Sequence, residues 1–214
     1  KKAPGRTYQD LLKNKHDEDK FRYYLTVEVM KLDMAKTDTY DSACVLSQSK
    51  GGFIPFGMNC SPCGRFLLVE SVADLSYSVP LRRFGKDVAI WDLDGDDGVI
   101  LPVVSNPVDD EIPLSYDACS RHKRRYEFHP LFPHKLLYAH ALDGGDPAND
   151  AVESESGDGK TYRDGIYTQD IKTESGLSLE EPVELCRLEW RYDGIDFTES
   201  GVVFVDEYRW SDRM

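Results

Sequence analysis

Ser61-Pro62-Cys63-Gly64-Arg65-Phe66-Leu67-Leu68-Val69-Glu70 joins a tight turn to a short apolar strand, and the same unit occurs twice more in the chain. Phe128-His129-Pro130 leads, after a short turn, into Lys135-Leu136-Leu137-Tyr138-Ala139, and Asp196-Phe197-Thr198-Glu199-Ser200-Gly201 leads into Val202-Val203-Phe204-Val205-Asp206. The strands begin at intervals of roughly 70 residues, the pattern of small sheets repeated around an axis. A second element repeats beside the first. Val27 to Asp33, Val88 to Gly95 and Gly165 to Asp170 each alternate apolar and polar residues and close on an Asp. Period-two alternation marks half-buried strands, and Asp or Gly at the end marks their exit into turns. The expected fold is all-β: antiparallel β-propeller blades, an incomplete propeller of about three blades, with a short N-terminal helical or irregular segment. A two-sheet sandwich is the alternative that the same strands permit.

The expected organisation is one partial propeller domain over residues 1–214, with a lead-in over 1–22, blades over 23–214 and a polar insertion near 143–164. The interval exceeds the roughly 40 to 50 residues of a compact blade, so insertions must carry the excess. The segment from Ala141 to Asp164 is rich in Gly, Asp, Glu and Ser, and is expected to be exposed and mobile. A closed propeller needs about four to eight blades. Three blades would leave apolar faces and strand edges open, so the chain is expected to be a segment of a longer polypeptide, whose start has been removed by processing or truncation.

A formal net charge of −13 on 214 residues repels nucleic-acid phosphate and anionic lipid heads, so neither is an expected partner. Hydrophobic residues make up 40% and charged residues 30%, with a mean hydropathy of −0.51. No apolar run approaches the roughly 18 residues of a spanning helix.

The five cysteines include one close pair, Cys60 and Cys63. No second CxxC and no strand-to-helix context accompany it, so it reads as the frame of a turn rather than half of a zinc or redox site. Asp94-Gly95-Asp96-Asp97-Gly98 and Asp143-Gly144-Gly145-Asp146 have the look of calcium loops, but turn chemistry alone accounts for both. His122, His129, His134 and His140 lack the spacing of a zinc helix and read as surface or turn residues. No metal and no cofactor are expected. No G-x-S-x-G elbow occurs, so no catalytic residue is assigned.

Two cationic stretches remain. Arg121-His122-Lys123-Arg124-Arg125 could pair with a carboxylate of an acidic peptide, although charge runs usually form solvated faces. Arg82-Arg83 sits beside Tyr77, Pro80 and Phe84, a mixed loop suited to recognition. Arg82 and Arg83 are the candidate carboxylate partners, and Tyr77 and Phe84 the candidate packing surfaces.

The segment Ala3 to Glu18 resembles the start of the propeller domain in glutamyl endopeptidases of the prolyl oligopeptidase family, found in chloroplasts and in some bacteria. Ser61-Pro62 through Glu70, Ser76 to Pro80, Arg83-Phe84, Val88 to Gly95, Ala141 to Asp146, Tyr162-Arg163-Asp164 and Tyr192 to Ile195 extend the likeness in order across nearly the whole chain. The resemblance implies a serine peptidase in which a β-propeller caps a C-terminal α/β-hydrolase domain bearing a Ser-Asp-His triad. That hydrolase domain would lie beyond Met214 and would be a partner within the parent chain. This segment would gate substrate, admitting short or unfolded peptides. Chloroplast stroma is the implied compartment if the source is a plant or alga. The chain departs from the family at Cys63, where Asp is usual, at Leu81, where an aromatic is common, and at Gly85, where Pro follows Arg83-Phe84. A non-catalytic propeller scaffold that binds proteins is the rival reading, and a relative that has lost its nucleophile is a third.

Overall fold

The computed structural model describes residues 8, 10–32, 44–94, 98–174 and 176–210. The described residues form two compact units, one from Asp10 to Val108 and one from Asp109 onward.

The first unit opens with helix α1, Lys15–Leu25. Its start is written in the sequence. The Asn14 side chain accepts a hydrogen bond from the Asp17 amide, and Asp17 and Glu18 place negative charge in the first turn, where the helix dipole favours it. The helix therefore runs three residues past the expected lead-in. Two short strands follow, β1 (Met30–Lys31) and β2 (Cys44–Val45), paired antiparallel. The alternating stretch from Val27 is thus only partly a strand, and its closing Asp33 lies outside the described residues.

The main sheet of this unit is an antiparallel meander in chain order: β3 (Pro55–Cys60), β4 (Phe66–Val72), β5 (Lys86–Asp92) and β6 (Ile100–Asn106). One face sets Leu67, Val69 and Trp91 in a cluster covered by Val29, Leu46, Phe53 and Leu93. Phe66, Leu68, Val88 and Ile90 are buried on the other face. Burial on both faces explains why β4 reads as a continuous apolar run instead of alternating. Each such side chain contributes about 1.5–3 kcal/mol relative to exposure.

The second unit repeats the plan with additions. Strands β7 (Arg124–Phe128), β8 (Lys135–Ala141), β11 (Asp164–Lys172) and β13 (Val183–Leu188) form an antiparallel sheet in that order. A small hairpin of β9 (Val152–Glu153) and β10 (Thr161–Tyr162) interrupts the chain between β8 and β11, and β12 (Ser178–Leu179) pairs with the end of β11. The hairpin β14 (Arg191–Phe197) and β15 (Val203–Tyr208) closes the unit. Its Tyr192, Ile195 and Val205 pack on Ala139, Ile166, Cys186 and Leu188 of the sheet. On the opposite sheet face, Tyr126, Tyr138 and Tyr167 stack with ring centroids 5.1 and 5.3 Å apart.

The fold is all-β with one α-helix among the described residues, and no sheet closes into a barrel. The polar segment 143–164 departs from expectation at its ends. Residues from Ala148 to Thr161 are mostly exposed, but Asp143, Gly145 and Asp164 are buried, because their charges and amides are used inside the second unit.

Candidate functional site

The expected recognition loop leaves β4 and returns to β5. Its neck is closed by backbone hydrogen bonds, from Ala73 N–H (2.8 Å) and Asp74 N–H (3.4 Å) to the Gly85 carbonyl and from Gly85 N–H to the Asp74 carbonyl (2.9 Å). The departure from proline at residue 85 has a physical reason here: proline has no amide hydrogen to donate to Asp74. A short 3₁₀ turn, Leu81–Arg83, follows Pro80 and buries Arg83. Phe84 is buried and meets the Phe21 ring of α1 edge-on at 5.8 Å.

Tyr77 and Arg82 are exposed, whereas Arg83 and Phe84 point into the first unit. The loop thus divides the four candidate residues between surface and interior. Tyr77 is tethered, its hydroxyl donating to Glu18 Oε2 at 2.6 Å. That hydrogen bond, joined by those from Arg22 and Lys15, holds the Glu18 carboxyl down at about 2. Glu18 is depressed in the folded state, so its stabilising contribution is present above its ordinary value of 4.5 and fades as pH falls towards 2. Tyr77→Phe is expected to raise the Glu18 pKa towards the ordinary carboxylate range while leaving the sheet intact, as read from an NMR titration of the Glu18 carboxyl.

The Cys60–Arg65 turn is built as its residues predict. Gly64 adopts φ 74°, its amide donates to the Ser61 carbonyl, and the buried Ser61 hydroxyl accepts from the Phe66 amide at 3.0 Å. Arg65 reaches across to grip Asp92 with two hydrogen bonds of 3.0 and 2.7 Å. Cys63 is exposed, with Sγ 3.3 Å from the Ser61 hydroxyl oxygen. Slight burial pushes its thiol pKa up, but the Ser61 contact, nearby backbone amides and the Arg65 charge outweigh it, and the net shift is downward.

The most concentrated chemistry lies where the sequence reading placed none. Arg191, at the start of β14, is 1% exposed and forks onto Asp143 (2.8 and 2.7 Å) while also reaching Asp164 Oδ1 at 3.1 Å. Its Nε donates to the Asp117 carbonyl at 2.6 Å. Arg163 adds a 2.8 Å bond to Asp143, and Arg124 pairs with Asp164, which also accepts from the Tyr192 amide. Burial pushes the Asp143 pKa up, yet hydrogen bonds from Arg191 and Arg163 outweigh it and leave the carboxyl below its usual range. Two of its members stood in stretches marked by their charge, Asp143 in a loop resembling a calcium site and Arg124 in the basic run, but nothing in the sequence joined them to each other or to Arg191.

The histidines do not converge. His129 is a turn residue, as expected, but a buried one, its Nδ1 accepting from the Leu131 amide at 3.1 Å and its ring lying 4.2 Å from Phe197, centroid to centroid. Burial lowers the pKa of both His129 and His140. Among the described residues no three of His, Cys, Asp and Glu are grouped to hold a metal ion. The expected acidic loop at 94–98 lies partly outside the described residues. The basic run splits: Arg121 pairs with Glu111 at the surface, Arg124 enters the buried network, and Arg125 turns outward towards Asp193.

These features define an all-β chain of two larger antiparallel sheets with small two-stranded ones beside them, stabilised by buried ions and lacking a grouped metal site among the described residues. The resemblance to glutamyl endopeptidases is supported by direct comparison. The chain is 29% identical over 94% of its length to a protein of Oryza sativa subsp. japonica called "Probable glutamyl endopeptidase, chloroplastic". It is 28% identical, again over 94% of its length, to a protein of Arabidopsis thaliana with the same name. The chain spans 19% of the length of each of these curated relatives. No family model and no solved structure matches.

Proposed function

We propose that this chain forms successive blades of the propeller cap of a glutamyl-endopeptidase-like serine peptidase of the chloroplast, gating peptides to a hydrolase domain elsewhere in the parent protein. The observation that carries this reading is the repetition of one strand plan. The second strand of the first meander begins at Phe66, that of the second at Lys135, and that of the terminal hairpin at Val203, each after a short turn of five or six residues. Sheets repeated at one interval and in one order are what a radial array requires, and a sandwich has no need of that regularity. A ring of such sheets over a catalytic cavity filters substrates by size and shields the chemistry from bulk water.

The test uses the full-length parent protein. It is expected to react with a serine-directed phosphonate and to cleave a short peptide at an internal Glu, while sparing the same sequence held inside a folded protein. Binding of peptides with neither cleavage nor labelling by the phosphonate would favour the scaffold reading, and a structure in which the two meanders face each other as a sandwich would overturn the propeller.

A further inference from the structure

Two strands of the second unit carry a defect at facing positions. Strand β7 bulges between Arg124 and Glu127, and within the bulge Arg125 adopts φ 57°, a left-handed conformation that a long side chain seldom occupies. Strand β14 bulges between Tyr192 and Gly194, which throws Asp193 out of register. β7 is an edge strand of its sheet. The two bulges bring Arg125 Nη1 to 3.0 Å from the Asp193 carbonyl, but Arg125 Nη2 stands 3.5 Å from the Asp193 carboxylate, longer than a good charged hydrogen bond. Both side chains are more than half exposed, at 54% and 60%.

We propose that Arg125 is a specificity-determining residue that receives an acidic side chain of the incoming peptide, and this rests on the peptidase-cap reading above. Three arguments support it. A strained arginine at a bulge is costly, and bulges commonly serve to re-aim a side chain. Consecutive arginines are sent opposite ways: Arg124 goes to buried Asp164, and Arg125 goes outward to a loosely held partner. A chain of net charge −13 repels acidic peptides, so one that binds them needs a fixed cation at the point of contact. The fork of Arg125 can close on a carboxylate with the two-point geometry that its long contact with Asp193 lacks.

The test compares, in the full-length protein, the binding of a fluorescent Glu-containing peptide with its Gln counterpart, read by anisotropy, alongside cleavage. The wild type is expected to favour the Glu peptide by about fivefold, the ceiling for an exposed ion pair. Arg125→Gln and Arg125→Gly are expected to abolish the preference, Arg125→Lys to keep part of it, and Asp193→Asn to increase it by removing a competing charge. Arg125→Gly is decisive against a purely structural role, because glycine accepts the left-handed backbone and should leave Tm unchanged or higher. A lower Tm with the preference intact would make Arg125 a stitch between strands and overturn the proposal, as would a wild type without preference. A parent that cleaves nothing defeats the peptidase reading while the Glu against Gln comparison still reports on Arg125. Cleavage with a preference insensitive to Arg125 defeats this inference alone.

Discussion

Arg191→Met is expected to destabilise the chain by about 3 kcal/mol, at the lower end of the cost of removing one partner from a buried ion pair. The two carboxylates left behind explain the size. Asp143 and Asp164 are almost wholly inaccessible, and Arg191 supplies two hydrogen bonds to the first and one to the second. Arg163 and Arg124 remain as partners, which is why the lower end applies. The loss should also depend on pH. In the wild type the Asp143 pKa is depressed, so its contribution is present above its ordinary value of 3.8 and is lost as pH falls below it. Without Arg191, the cost of a buried carboxylate is felt most near neutrality and shrinks once Asp143 can take up a proton. Chemical denaturation of both proteins at pH 7 and near pH 3 checks this. A difference of the same size at both pH values would mean that Arg191 acts through packing and not through charge. Arg191→Lys should recover only part of the loss, since an ammonium cannot reproduce the planar fork onto Asp143.

That network also marks the limit of what the sequence reveals. Local rules identified the Ser61 to Glu70 unit, its turn and the buried β4 strand, because Pro62, Gly64 and four successive apolar residues act over a few positions. The capping of α1 by Asn14 was equally local, yet the sequence left 1–22 open between helical and irregular because no apolar face announces this helix, which buries none of its residues. The likeness to glutamyl endopeptidases was legible from short fragments kept in order, and comparison over 94% of the chain supports it. The charge cluster was not legible. Asp143 and Arg191 are 48 residues apart, and nothing in either neighbourhood distinguishes a buried carboxylate from the many exposed ones of an acidic chain. The candidate loop shows the same weakness on a smaller scale. Arg82 and Arg83 are adjacent and alike in sequence, but the 3₁₀ turn exposes the first and buries the second. Arg125 belonged to a run that reads as a solvated face, and only the facing bulges separate it from its neighbours.

Gly145→Ala is the second large effect expected, a loss of roughly 2–4 kcal/mol from combined backbone strain and steric conflict. Asp143-Gly144-Gly145-Asp146 drew attention as a possible calcium loop, and its structure explains the glycines without any ion. Gly145 adopts φ 80°, its amide donates to Asp143 Oδ1 at 2.9 Å, and its carbonyl accepts from the Cys119 amide at 3.0 Å. A Cβ there would lie 2.3 Å from the Cys119 carbonyl oxygen and 3.1 Å from the Arg121 amide nitrogen. Both obstacles are backbone, which cannot swing aside as a side chain can. To admit the methyl group the turn must withdraw from 119–121, and the amide that helps to fix Asp143 withdraws with it. Gly144→Ala is the informative control. Gly144 is also left-handed, at φ 70°, but its nearest obstacle would be the Asn149 side chain at 3.7 Å, an ordinary contact. It should therefore cost only the backbone term, about 1–2 kcal/mol. Thermal denaturation of the two variants separates the contributions: equal losses would mean that strain alone dictates these glycines, whereas a markedly larger loss at 145 assigns the difference to the close approach of the 119–121 backbone.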